Sequence, residues 1–93
     1  MKKQIIKTYE QYMNAISYPE VATEKIELPF LDARVGKKGK FWFVFEFNTG
    51  RIINSVPCKT KAEAIEKAKK TLDFYGAEAT SQAIAKYPIL NTL

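Results

Sequence analysis

The sequence predicts an α+β fold: a three-stranded antiparallel meander packed against one main helix, with an amino-terminal helix and a short carboxy-terminal helix. Three observations carry this. Lys40–Phe47 holds four of the six phenylalanines and the single tryptophan in strict alternation, so Phe41, Phe43, Phe45 and Phe47 share one face of a strand and Lys40, Trp42, Val44 and Glu46 the other. Thr60 begins an amphipathic stretch with a capping-box pattern. Turn signals at Gly36–Gly39 and Asn48–Arg51 separate three strand-like runs.

Residues 3–17 place Ile5, Ile6, Tyr9, Met13 and Ile16 at three- and four-residue spacing, which predicts a helix. Tyr18-Pro19 should end it, because the residue before proline is pushed out of the helical region. Tyr9, Tyr12 and Tyr18 read as core residues rather than as a platform for stacked bases. Residues 24–35 predict a strand with Ile26, Leu28 and Phe30 on one face, and Pro29 makes it an edge strand or one broken by a bulge. Gly36-Lys-Lys-Gly39 is a charged turn into strand 40–47. Asn48–Arg51 turns into strand 52–58, which ends near Pro57.

Helix 61–75 follows, with Thr60 as N-cap and Glu63 three residues on. Its stripe of Ile65, Ala68, Leu72 and Tyr75 is suited to cover the phenylalanine face, since each phenylalanine left in water forgoes roughly 1.5–3 kcal/mol. Gly76 ends the helix. A short helix over 80–87 stops before Pro88, and the apolar tail Ile89–Leu93 can dock.

Ninety-three residues without repeat or linker make one domain, 1–93. With one cysteine and no histidine, a disulfide framework, a zinc site and histidine-based catalysis fall away within a single chain, so no cofactor and no enzymatic activity are expected. Glu24, Glu27, Asp32 and Glu46 have neither the spacing of a metal loop nor that of a catalytic dyad, and read as a solvated strand face. Cys58, at a strand end, reads as a small core residue. Gly36-Lys-Lys-Gly39 lacks the spacing of a phosphate loop. The basic amino end is followed by no apolar run long enough for a signal peptide or a membrane span, so a soluble cytoplasmic protein is expected.

The formal charge of +5 favours an anionic partner. Only two of the fifteen cationic residues are arginine, which suits phosphate contact more than base readout. In a meander, the first hairpin tip with Arg34, Lys37, Lys38 and Lys40 lies at the same end as Lys59 and Lys61. These six, with Trp42, form the candidate nucleic-acid-binding set.

Residues 39–68, with a Gly-Lys-aromatic strand start, a turn carrying Gly-Arg, a third strand and Thr-Lys-Ala-Glu-Ala opening a helix, resemble the sheet-plus-helix DNA-binding domains of plant ethylene-response factors and the arm-binding domains of phage integrases. The resemblance implies a helix on one sheet face and a reading face with Arg34, Lys40, Trp42, Glu46 and Asn54. Glu46 departs from that pattern by repelling phosphate. Packing of the amino-terminal helix on the Trp42/Val44 face would remove the reading face.

Two functions are expected to compete. One is a small nucleic-acid-binding accessory protein of the kind encoded by phages or mobile elements, which contacts the phosphate backbone. The other is a protein-binding module, such as a phage-encoded inhibitor or adaptor, that engages an acidic or hydrophobic surface of a host protein through a dimer or an added strand.

Overall fold

The amino-terminal stretch is rich in β-branched and aromatic side chains, and these form strands rather than the expected helix 3–17. In the computed structural model, which describes residues 3–54 and 56–92, this stretch supplies β1 (Gln4–Lys7), β2 (Glu10–Tyr12) and β3 (Ala15–Ser17), and β4 (Glu20–Ile26) follows. β1 pairs with β4 and β2 with β3, and the register runs without slip from Gln4↔Thr23 to Tyr12↔Ala15. The four strands are therefore one long two-stranded ribbon, turned at Met13-Asn14. Of the residues that suggested a helical stripe, only Ile6 and Tyr9 are buried, while Ile5, Met13 and Ile16 are exposed. Tyr12 and Tyr18 are exposed as well, so of the three tyrosines expected in the core only Tyr9 is there. Tyr18-Pro19 marks a break in the ribbon instead of a helix end. Pro19 has no N–H to give, and its carbonyl accepts from both the amide (2.8 Å) and the hydroxyl (2.7 Å) of Thr8.

The expected strand 24–35 divides at Pro29. β4 stops at Ile26, the chain turns through Pro29 and Phe30, and β5 (Ala33–Lys38) pairs back onto β4. Phe30 holds φ 76°, the sign that a type II turn requires one position after its proline. β6 (Phe41–Glu46) completes an antiparallel sheet of order β1-β4-β5-β6. The hairpin tip is Gly39-Lys40, and the expected turn residues Gly36, Lys37 and Lys38 belong to β5. Glycine suits this position of the strand because β4 lies close beside it: a Cβ there would lie 2.8 Å from the Ala22 carbonyl oxygen.

The expected third strand 52–58 is reduced to two isolated bridges, Phe45↔Ile52 and Trp42↔Cys58. Between them the buried side chain of Asn54 stands in for backbone: its Oδ1 accepts from the Val44 amide (2.7 Å) and its Nδ2 donates to the Val56 carbonyl (2.9 Å). The asparagine thereby supplies the acceptor for the Val44 amide on the edge of β6, between the backbone bonds that Trp42 and Glu46 make to Cys58 and Arg51.

The phenylalanines share a face as expected, but no helix covers them. Register places Phe43 and Phe45 beside Gly36 and Arg34, with Thr23, Val21 and Ile6 next on the same face, and the sheet curls around this side. Ile6, Val21, Phe45 and Phe47 form one buried cluster, with Phe43 against it and Phe41 at the exposed rim. Burying a ring such as Phe45, which has no exposed surface, is worth roughly 1.5–3 kcal/mol. The curl is closed by hydrogen bonds. The Tyr9 amide donates to the Gly50 carbonyl (2.9 Å), where a Cβ on Gly50 would lie 2.3 Å from the Lys7 oxygen. In the tail, Leu90 and Asn91 amides both donate to the Asn48 carbonyl. The Asn91 side chain bonds the Lys7 amide (2.8 Å), the Lys7 carbonyl (2.8 Å) and the Phe47 carbonyl (2.7 Å). The tail docks through these polar contacts, and Ile89 stays exposed. Leu93 lies outside the described residues.

The helix covers the opposite, convex face. α1 (Lys61–Ala85) sets Ala64 and Ala68 against Ala33, Val35, Val44 and Cys58, with Trp42, Ile53 and Ile65 half-buried around them, and Leu72 is buried further along the helix. The buried side chains at the centre of this contact are small, and the phenylalanine rings lie on the concave side instead. Thr60 caps the helix as expected, its hydroxyl accepting from the Glu63 amide (3.1 Å). Gly76, with φ 80° and ψ 173°, breaks α1. The helix resumes at once and ends at Ala85, so the expected short helix over 80–87 is the second part of α1. The fold is α+β, with an antiparallel sheet and one kinked helix.

Candidate functional site

Lys37 and Trp42 are register partners on β5 and β6, so they stand side by side on the helix-bearing face. Glu24 on β4 faces Val35 on that same face, and Lys61, the first residue of α1, reaches it and forms an ion pair. Lys3, just before β1, closes the far side. The result is a cleft of about 180 Å³ lined by Lys3, Glu24, Lys37, Trp42 and Lys61 over Ala22 and Val35. Lys40, at the hairpin tip, and Lys59, next to the Cys58 whose carbonyl accepts from the Trp42 amide (2.7 Å), are both exposed beside it. Three lysines therefore line the cleft with one glutamate, and two more are exposed at neighbouring positions of the chain.

The charges within the cleft are unequal. The Lys61 ammonium bonded to Glu24 holds that carboxyl below its ordinary value, so the pair is ionised and internally matched. Lys37 is exposed and has no carboxylate partner among the described residues. Trp42 is half-buried, packed on the helix-side core while lining the cleft, which puts an aromatic surface among ammonium groups.

Two of the expected site residues stand elsewhere. Arg34 points to the concave face and is 2% exposed. Its guanidinium pairs with Asp32, donates to Gln4 Oε1 (2.9 Å) and lies 4.4 Å from the centre of the Phe47 ring, so it is a structural cation. Lys38 also points to that side and pairs with Glu10, and burial lowers its ammonium below the usual lysine value. Glu46 and Asn54, which the resemblance would place on a reading face, are buried. Glu46 is no solvated strand carboxylate. Its oxygens accept from the Asn48 amide (2.8 Å), the Thr49 amide (2.9 Å) and the Thr49 hydroxyl (2.8 Å), and so fix the turn after β6.

Of the cleft's members, Lys3 carries no signal in the sequence, and Glu24, which reads there as part of a solvated strand face, is instead the ion-pair partner of Lys61. Lys3 sits in the stretch that reads as helix, and Glu24 joins Lys61 only when residues 20–26 are recognised as a strand beside β5. No helix among the described residues is long and apolar enough to cross a membrane. Set against known protein families, characterised proteins and solved structures, the chain matches none of them.

Proposed function

We propose that this protein binds the phosphate backbone of nucleic acid through the lysine-lined cleft around Trp42, as a small accessory protein of the kind phages and mobile elements encode. The convergence of Lys3, Lys37 and Lys61 on one cleft, with Lys40 and Lys59 beside it, supports the reading best. Lysine ammonium groups around a half-buried ring suit phosphate oxygens and a sugar or base edge, without the paired arginine forks of base-specific readout. Contact at this end of the sheet also leaves the curled phenylalanine face undisturbed.

The test is the affinity for a short DNA duplex at several salt concentrations. About four lysines outside the Glu24 pair predict a slope of log affinity on log salt of about −3 to −4, and Lys37→Ala should reduce it by about one. A slope near zero, or a Lys37→Ala slope equal to that of the native chain, overturns the reading. Binding to a protein is the second reading, supported by the β2–β3 hairpin, whose Tyr12 (72%), Met13 (80%) and Ile16 (50%) side chains are exposed. Mutating the hairpin would abolish that contact and leave nucleic-acid binding intact.

A further inference from the structure

A second cleft, of about 270 Å³, lies between the sheet's far end and both parts of α1. Leu31, Ile53, Leu72, Ala83 and Ile84 give it an apolar wall, and Arg51 and Glu46 are its charged members. Its volume lies just below that of most ligand pockets, which run roughly 300–1,000 Å³, and so suits a body of one ring or a short aliphatic chain.

Arg51 gives the cleft a chemical preference. Its guanidinium carbon lies 4.2 Å from the centre of the Tyr87 ring and 5.4 Å from that of Tyr9, and the two rings meet edge to face at 5.0 Å. Cation–π contacts of this kind hold the charge near the rings without using any of its N–H donors. No carboxylate pairs with those donors among the described residues. Glu46 makes no ion pair with them, and its oxygens accept from Asn48 and Thr49 instead. A guanidinium held near two tyrosine rings at the wall of an apolar cleft, with donors that no carboxylate takes, is suited to receive a carboxylate with a hydrophobic body attached.

The geometry points to a binding site for a small amphipathic carboxylate, its acid group on Arg51 and its apolar body between Leu72, Ala83, Ile84 and Ile53. This site shares no residue with the lysine cleft and stands whether or not that cleft binds nucleic acid.

The experiment compares phenylpropionate with phenylpropanol, the same body without the charge, by following backbone amide shifts of the whole chain on titration. Phenylpropionate should shift amides of Ile53, Leu72 and Ile84 saturably and bind at least about tenfold more tightly than the alcohol. Arg51→Gln should bring the two ligands to within about twofold of each other. Ala79→Trp, which fills the cleft from the exposed side of α1, should weaken both about tenfold. Equal binding of acid and alcohol by the native chain, saturable shifts confined to the lysine cleft, or no saturation up to about 10 mM overturns the assignment. The native-chain comparison decides the matter even if Arg51→Gln does not fold.

Discussion

Replacing Asn91 with alanine tests how the curled sheet is held shut. Its side chain receives one hydrogen bond from the Lys7 amide and gives two, to the Lys7 and Phe47 carbonyls, at 2.7–2.8 Å. A native hydrogen bond contributes about 0.5–1.5 kcal/mol net, so three give about 1.5–4.5 kcal/mol. Water can reach both Lys7 groups once the asparagine is gone, whereas the Phe47 carbonyl is part-buried, which places the expected loss near 2 kcal/mol. With a urea dependence of about 1–1.5 kcal/mol per molar for a chain of this size, the unfolding midpoint should fall by about 1–2 M. Thr92→Ala, an exposed change in the same tail, should stay within about 0.5 kcal/mol of the native chain. Amide exchange adds a spatial readout: the Tyr9 amide, bonded to Gly50 at the closure, should lose protection before the Val35 amide in the centre of the sheet. An Asn91→Ala chain within about 0.5 kcal/mol of native stability would refute the closure by the tail.

Three other outcomes follow from the geometry. Phe30 is a non-glycine residue at φ 76°, so Phe30→Gly should relieve a cost of roughly 1–2 kcal/mol against about 0.5–1 kcal/mol of glycine entropy, and should raise the thermal midpoint by a few degrees. Because the folded Glu24 carboxyl ionises below its ordinary value of 4.5, the Glu24–Lys61 pair stabilises the fold above that pH and ceases to do so as the pH falls through the depressed value. Glu24→Gln should therefore show a shallower acid loss of stability in denaturant titrations between neutral and acid pH. Burial raises the Cys58 thiol above its usual range, so a thiol reagent should modify it at the rate of chain opening, with both rates rising together in urea. Instant modification of the folded chain would place Cys58 at the surface.

The legible parts of the fold were those set by local chemistry. Alternation placed Phe41, Phe43 and Phe45 on one face of β6, and the Thr60 cap placed the start of α1. The amino-terminal ribbon was hidden because Ile6, Tyr9, Met13 and Ile16 happen to sit at helical spacing, while the pairing that decides the matter joins Gln4 to Thr23 across the ribbon. Ring size predicts a need for cover but not its source: the sheet covers its own phenylalanines by curling, and the helix lies on the other face. Residues 52–58 carry a strand-like pattern but form only two bridges, because one side chain, Asn54, does the work of a backbone segment between them. At the candidate site, Lys37, Trp42 and Lys61 come together as the hairpin geometry implied, since tip and helix start share one end of the sheet. Arg34 leaves the set for a reason of parity. It lies an odd number of residues from Lys37, so the two point to opposite faces.

The most direct measurement of the proposed activity is the emission of Trp42, the single tryptophan, as duplex DNA is added to the native chain and to Lys37→Glu at low salt. The lysine cleft predicts a saturable change in the native emission that disappears at high salt and is lost in Lys37→Glu. Binding that leaves Trp42 silent, or that survives charge reversal at its neighbour, would contradict the cleft as the contact surface.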